Sequence, residues 1–411
     1  QGGAGSSPRL PRADVAAPPG RAPTPRRAPH RIAPPPNPAA LGSPVRHRLH
    51  PRGERGEMAS ESPGLLRLLL GLAALGARAV SPARIGASAS SAAASHFSTV
   101  GAATSTKYLI ASFPVLKQVA YVHLPDNVWR PLVVGEVGRP EALAVDAQNG
   151  RLFVSDPPNS VIWWYRLAVQ ASGLLETAGR RRAAVENYNA SWLAVSSVGD
   201  LFFAGRQVAA APSASASIFR QDAINLATGD SLNPTEVFSR ANTGTPKPKA
   251  WAPTGLAVDS FYVYWGNGDN GTSHGSVVKG SSESSGVLRS MNDAVDRVCG
   301  VSVTGTHVFF ASPAGLYGVP KTTPTTVQDA TQGLVVAAPT DGSPWDPVGL
   351  AWDGENTLFV TDAAAGALFS LPAQNVQPHN LTRFVDAPNV HGVAIVGFSS
   401  GAPHRGLGLL G

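Results

Sequence analysis

Residues 347–371 read PVGLAWDGENTLFVTDAAAGALFSL. An apolar run from Gly349 to Trp352 stops at Asp353, and a polar turn follows. A second run, Thr357 to Thr361, stops at Asp362, and a small-residue turn leads into a third run that ends at Leu371. Runs of about five residues, rich in Val, Phe, Tyr and Trp and bounded by Gly, Asn, Asp and Pro, are strands. Segments such as 352–357 (WDGENT) and 144–151 (AVDAQNGR) are hairpin-type turns. The stretch is one unit of three strands, and it needs neighbours of the same kind to cover its apolar face.

The chain supplies those neighbours. First runs recur at Ala142–Asp146, Trp192–Ser196, Gly255–Asp259, Gly300–Thr304 and Gly349–Asp353. Second runs follow at Arg151–Asp156, Asp200–Ala204, Phe261–Trp265, His307–Ala311 and Thr357–Asp362. Two pieces are left over. Lys107–Ser112 is a second run with no first run before it, and Gly392–Val396 is a first run with no second run after it. Joined, they make a sixth sheet from both ends of the repeat region. The sequence therefore predicts an all-β fold over residues 108–398. It is a six-bladed β-propeller of four-stranded blades, with the ring closed by the last strand pairing with the first.

The segments GLAVDSFYVYWGN (255–267) and GSVVKG (275–280), with 347–371, resemble NHL repeats and the YWTD repeats of lipoprotein-receptor and TolB-like propellers. The resemblance covers residues 108–398 and implies the six-bladed fold without fixing an activity. The units beginning at Trp192 and Gly300 depart from the pattern, because Ser196 and Thr304 replace the Asp that closes the first run. Where it is kept, as Asp146, Asp259 and Asp353, that Asp is expected to cap a turn.

In such a ring the loops entering first strands and those joining second to third strands share one face, around the channel mouth. Glu141, Trp192, Arg297, Asp346, Asn389 and His391 are the binding-face candidates from the first set, with Asn189 beside them. Asp156, Asn159, Asn267, Asp269 and Asp362 belong to the second set, where capping of turns and tying of blades competes with ligand binding. Propellers that resemble this one include lactonases that hold a divalent cation through Glu, Asn and Asp, which polarises an ester carbonyl. The resemblance offers Glu141, Asp346 and Asn389 as oxygen donors for Ca²⁺. Another propeller lyase uses zinc, but His274, His307 and His391 fall at non-equivalent positions of their units, which argues against a shared zinc site.

Gly266, Gly268 and Gly271 spell G-x-G-x-x-G, yet Gly271 leads toward the third strand and not into the helix a pyrophosphate would need. Asp269 is the one carboxylate of that segment, so it is no EF-hand either. The segment 264–276 is expected to be a loop between the second and third strands. G-x-S-x-G, H-E-x-x-H, Walker A and C-x-x-C motifs are absent. The single cysteine, Cys299, lies in an apolar run and reads as a small buried hydrophobe.

Charge divides the chain. Residues 1–107 hold 14 Lys and Arg against 4 Asp and Glu, whereas residues 108–411 hold 19 against 23. The foldable part is mildly acidic, which excludes the basic footprint of a nucleic-acid binder. Arg180-Arg181-Arg182 reads as a solvated loop. Residues 1–57 are Pro-, Arg-, Ala- and Gly-rich without an aromatic residue, and are expected to be a disordered leader. Residues 58–79 carry a short Leu/Ala run and Ala77-Arg78-Ala79, the pattern of a cleaved signal peptide, with a buried helix as the alternative. Residues 80–107 read as a Ser/Ala-rich linker or a second, transit-like segment, and 399–411 as a flexible tail. Asn189, Asn270 and Asn380 stand in N-x-S/T sequons, which a secretory route would make available for glycosylation.

These observations together predict a monomeric secretory-pathway propeller that binds a protein, peptide or glycan through one face. They predict no nucleic-acid partner, no membrane span, and no cofactor other than a possible Ca²⁺. A metal-dependent lactonase-type hydrolase and a plastid-lumen scaffold or accessory subunit are the alternatives.

Overall fold

The computed structural model describes residues 105–399 apart from 125, 211–214, 230–232, 245–248, 272–273, 284–287, 324–325, 328 and 330. The expected leader, signal peptide and tail, and all of the linker up to residue 104, lie outside the described residues, apart from Ser399. The six-bladed propeller is present: six antiparallel sheets of four strands each.

The first blade contains β1 (Ser105–Phe113), β2 (Gln118–Leu124) and β3 (Trp129–Val134). The second is β4 (Leu143–Asp146), β5 (Arg151–Asp156), β6 (Val161–Val169) and β7 (Leu175–Glu186). The third is β8 (Tyr188–Val195), β9 (Leu201–Gln207), β10 (Ser217–Gln221) and β11 (Thr235–Phe238), with a short helix, α1 (Ala223–Thr228), on its outer loop. The fourth is β12 (Pro253–Val258), β13 (Tyr262–Gly271), β14 (His274–Ser281) and β15 (Arg289–Val295). The fifth is β16 (Gly300–Val303), β17 (His307–Ser312), β18 (Gly315–Pro320) and β19 (Leu334–Ala337). The sixth is β20 (Pro347–Trp352), β21 (Thr357–Asp362), β22 (Ala367–Pro372) and β23 (Thr382–Asp386). The last strand, β24 (Val393–Ser399), pairs antiparallel with β1, with Leu109 opposite Ile395, and becomes the innermost strand of the first blade.

The central residues of each second strand are apolar without alternation because both of its faces are covered. In β9, Leu201 and Phe203 pack toward the second blade, while Phe202 and Ala204 pack with Leu256, Val263 and Trp265 of the fourth. Six such clusters, one per blade interface, make up the core.

Glycines at the start of the inner strands set how closely the blades approach. A Cβ on Gly300 would lie 2.4 Å from the Val348 carbonyl oxygen of the next blade, and one on Gly392 2.4 Å from that of Glu141. Gly255 and Gly349 face the next inner strand in the same way. Hydroxyls at the ends of second strands stitch these contacts. Gly349 N donates to Thr361 Oγ1 (2.7 Å), which donates to the His391 carbonyl (2.7 Å). Gly392 N donates to Ser112 Oγ (2.8 Å), which donates to the Glu141 carbonyl. Each relay runs from an inner strand through its own blade to the loop entering the next.

The turn-capping role expected for the retained Asp residues is met. Asp146 accepts from Asn149 N (3.0 Å) and pairs with Arg151 (2.7 Å). Asp259 accepts from Phe261 N and Tyr262 N, and Asp353 from Glu355 N and Thr357 N. Asp259 and Asp353 also reach the adjoining blade, pairing with Lys321 (2.7 Å) and Lys107 (3.3 Å). β1 thus begins ahead of the expected start at Tyr108, and Lys107 belongs to the folded part.

Two local expectations need correction. Arg180–Arg182 lie in the outer strand β7 and not in a loop, with Arg181 4.0 Å above the Trp163 ring and Arg182 5.5 Å above Trp164. Segment 264–276 is mostly hairpin: β13 runs to Gly271 and β14 starts at His274, with a register shift between Asn267 and Gly271 absorbing the extra residues.

Candidate functional site

The channel-mouth face is built by the loops entering the inner strands and by the turns that follow the second strands. The second group is structural. Asp156, fully buried, accepts from Gly138 N (2.9 Å), Arg139 N (3.0 Å) and Asn159 Nδ2 (2.8 Å), fixing the loop into the second blade. Asn267 accepts from Trp251 N (3.0 Å) and donates to the Lys249 carbonyl (2.9 Å) and Ser276 Oγ (2.9 Å). Asp362 accepts from Asp346 N (3.0 Å) and Ala365 N (2.9 Å). Buried carboxylates and amides engaged in this way hold loops, although Asp362 keeps its Oδ2 buried without a partner. Asp269 is exposed on β13.

The first group divides between the mouth and the rim. His391, in the loop before β24, and Trp192, in β8, belong to blades that are not adjacent, yet their rings lie 6.0 Å apart. They meet over the channel. The His391 ring faces the backbone of Glu141, which favours its protonated form, and its Nδ1 is buried without a partner. Burial holds its pKa below the usual histidine value, so the ring is neutral near pH 7. Glu141 is half-buried, with Oε1 3.2 Å from Arg139 Nε. Burial raises its pKa, Arg139 opposes the shift, and Asp156 adds to it.

Arg297, Asp346 and Asn389 are exposed around this centre. Burial pushes the thiol of the half-buried Cys299 up, against the opposing charge of Arg297, leaving it a poor nucleophile at neutral pH. Asn389 adopts a left-handed backbone (φ 61°), which turns the chain back toward β24. A shallow recess of about 240 Å³ opens beside the mouth at the third and fourth blades, lined by Asn189, Ser191 and Arg206 among others.

The residues offered for Ca²⁺ do not fit it. Calcium takes about six to eight oxygen ligands. Glu141 is turned to Arg139, Asp346 and Asn389 are exposed on two other loops, and the described residues hold no group of three or more His, Cys, Asp or Glu able to grip a metal. The sequons differ in setting. Asn189 is half-buried in β8 with Oδ1 accepting from Ser160 Oγ (2.8 Å), and Asn380 is exposed on the outer loop before β23. Asn270 lies in β13, and its side chain is outside the described residues.

Sequence reasoning named most of the mouth but missed Arg139 and the Ser112 and Thr361 relays. The recurring Ser/Thr at the end of second runs (Ser112, Ser155, Thr361) was the available signal. No helix among the described residues is long and apolar enough to cross a membrane.

No family model matches this chain, and no curated protein matches it. Solved structures do. A chain of the nidogen/laminin complex aligns with a TM-score of 0.47 at 12% identity, over 71% of this chain and 98% of that one. TolB from Acinetobacter baumannii aligns with a TM-score of 0.45 at 8% identity, over 72% and 67% of the two chains. A gluconolactonase from Xanthomonas campestris aligns with a TM-score of 0.41 at 16% identity, over 65% and 86%.

Proposed function

We propose that this propeller is a binding module whose channel-mouth face receives a protein, peptide or glycan in the secretory pathway. One observation supports this above the others. The buried polar groups of that face (Asp156, Asn267, Asp362, Ser112, Thr361) are engaged in fixing its loops, while Arg139, Arg297, Asp346 and Asn389 stand exposed around the Trp192–His391 pair. A pre-organised face with charged residues at the rim and an aromatic centre suits recognition, because little ordering entropy is lost on docking.

The test is affinity capture from the protein's own source with wild type and with the double charge reversal Arg297→Glu/Asp346→Arg. A partner held by wild type and lost by the reversal supports the reading. An unchanged set of partners overturns it. The route is tested separately by the N-terminal sequence of the native protein. A start near Val80 supports secretion, and one near Lys107 supports a second cleavage and the plastid alternative.

A further inference from the structure

A second recess is larger than the one beside the mouth. It lies on the opposite face, at the seam between the fourth and fifth blades, and has a volume of about 410 Å³. Its walls come from the turn after β12, strands β13 and β14, and the turns flanking β17 and β18. Strand register explains the lining. Tyr262 and Tyr264 are two apart on β13, and Lys279 of β14 pairs with Tyr264, so all three face the fifth blade. Lys279 Nζ stands 3.8 Å from the Tyr262 ring centroid. Phe261 and Tyr262 form an aromatic rim and are 72% and 38% exposed.

Charges around the recess are unequal. Asp259 accepts from Tyr264 Oη (3.0 Å) and pairs with Lys321 (2.7 Å), whose Nζ also donates to the Thr304 carbonyl (3.1 Å). That pair is closed. Lys279 forms no ion pair among the described residues. Its one hydrogen bond among the described residues is long, 3.3 Å to the Lys321 carbonyl; Asp259 attracts its charge from a distance, and Lys321 and Arg289 oppose it. His307, the remaining titratable group on the wall, bonds through Nδ1 to Thr306 Oγ1 (2.9 Å) and is kept neutral by burial. Lys279 is an ammonium with donors to spare, set among aromatic faces in a partly desolvated recess whose own carboxylate, Asp259, is taken up by Lys321, so it can receive an incoming oxyanion.

We propose that this seam is a second ligand site, for a small aromatic carboxylate whose ring stacks on Phe261 and meets Tyr262 edge-on, the two rings being inclined by 66°, while its carboxylate meets Lys279. The volume is at the lower end of the range for small-molecule pockets, which limits the occupant to one or two rings. The site is independent of the channel mouth.

The test is isothermal titration calorimetry of the folded protein with 2-naphthoate and with the uncharged 2-naphthamide. Naphthoate is expected to bind one to one, and the amide and the Lys279→Met variant each to lose about 10-fold or more in affinity, the worth of a charge-assisted hydrogen bond. Phe261→Ala should weaken naphthoate, and Arg297→Ala at the mouth should leave it unchanged. The naphthoate and amide titrations on wild type need no variant to fold. Equal binding of the two compounds overturns the proposal, as does no naphthoate binding at millimolar concentration.

Discussion

Replacing Ser112 with Ala removes one oxygen atom from the seam where the ring closes. Ser112 is fully buried. Its hydroxyl accepts from Gly392 N at 2.8 Å and donates to the Glu141 carbonyl, so it joins the chain before β24, the strand β1 and the loop into the second blade. In the variant the Glu141 carbonyl loses its hydroxyl donor. The Gly392 N–H keeps nothing, and no water-sized opening is made by losing one oxygen. The orphaned amide sets the cost at about 2 kcal/mol, within the range for a buried unsatisfied donor. Unfolding entropy of about 2 cal/mol/K per residue over a propeller of this size converts that to a fall in Tm of roughly 3 °C. The control is Ser312→Ala. Ser312 is equally buried, but its hydroxyl accepts only from Ala314 N, at 3.3 Å within its own turn. Thermal melts followed by circular dichroism should show the larger drop for Ser112→Ala, and hydrogen exchange should show lost protection at the Gly392 amide. Equal drops in the two variants, or an unchanged Gly392 amide, would refute the relay as a source of stability.

Gly300→Ala should lower stability by about 1–3 kcal/mol through overpacking against Val348, whereas Gly305→Ala, with nothing within 4 Å, should be near neutral; denaturant titration distinguishes them. The His391 pKa is lowered by burial, so between its folded value and the unfolded value near 6.5 the unfolded chain binds more protons. Stability is therefore full above about pH 6.5 and falls as the pH drops toward the folded pKa. His391→Gln should flatten that slope in melts between about pH 7 and pH 5, leaving the contribution of His307, whose pKa is lowered in the same sense. If the protein passes through the secretory pathway, glycopeptide mass spectrometry should find Asn380 occupied and Asn189 bare, because Asn189 is half-buried and bonded to Ser160; a glycan on Asn189 would contradict its placement.

The fold was legible because the propeller imposes a rule on every second strand: both faces are covered, so runs such as Leu201-Phe202-Phe203 and Val308-Phe309-Phe310 are apolar throughout. The unmatched runs at Lys107 and Gly392 made the closure countable. The mouth was legible only as a list of loop residues. That Trp192 reaches His391 depends on the diameter of the ring, which no local pattern encodes. Arg180–Arg182 misled because charge alone does not separate a loop from an outer strand whose Arg side chains stack on Trp163 and Trp164. The seam recess was invisible for the same reason as the hydroxyl relays. Tyr262, Lys279 and Lys321 are far apart in sequence, and they meet only once the register of β13 against β14 and the packing of one blade on the next are fixed.

The pairing of β1 with β24 also sets an order of events during synthesis on the ribosome. β1 is among the first strands to emerge, but its inner partner lies some 280 residues downstream, as the Gly392–Ser112 bond records. Until that partner arrives, the nascent chain presents an unpaired apolar edge, with Leu109, Ile110 and Ala111 awaiting cover, in the form that invites misassembly between chains. Any product that stops before Val393 keeps that edge permanently. Premature termination late in this chain should therefore yield an aggregation-prone protein and not a smaller stable propeller.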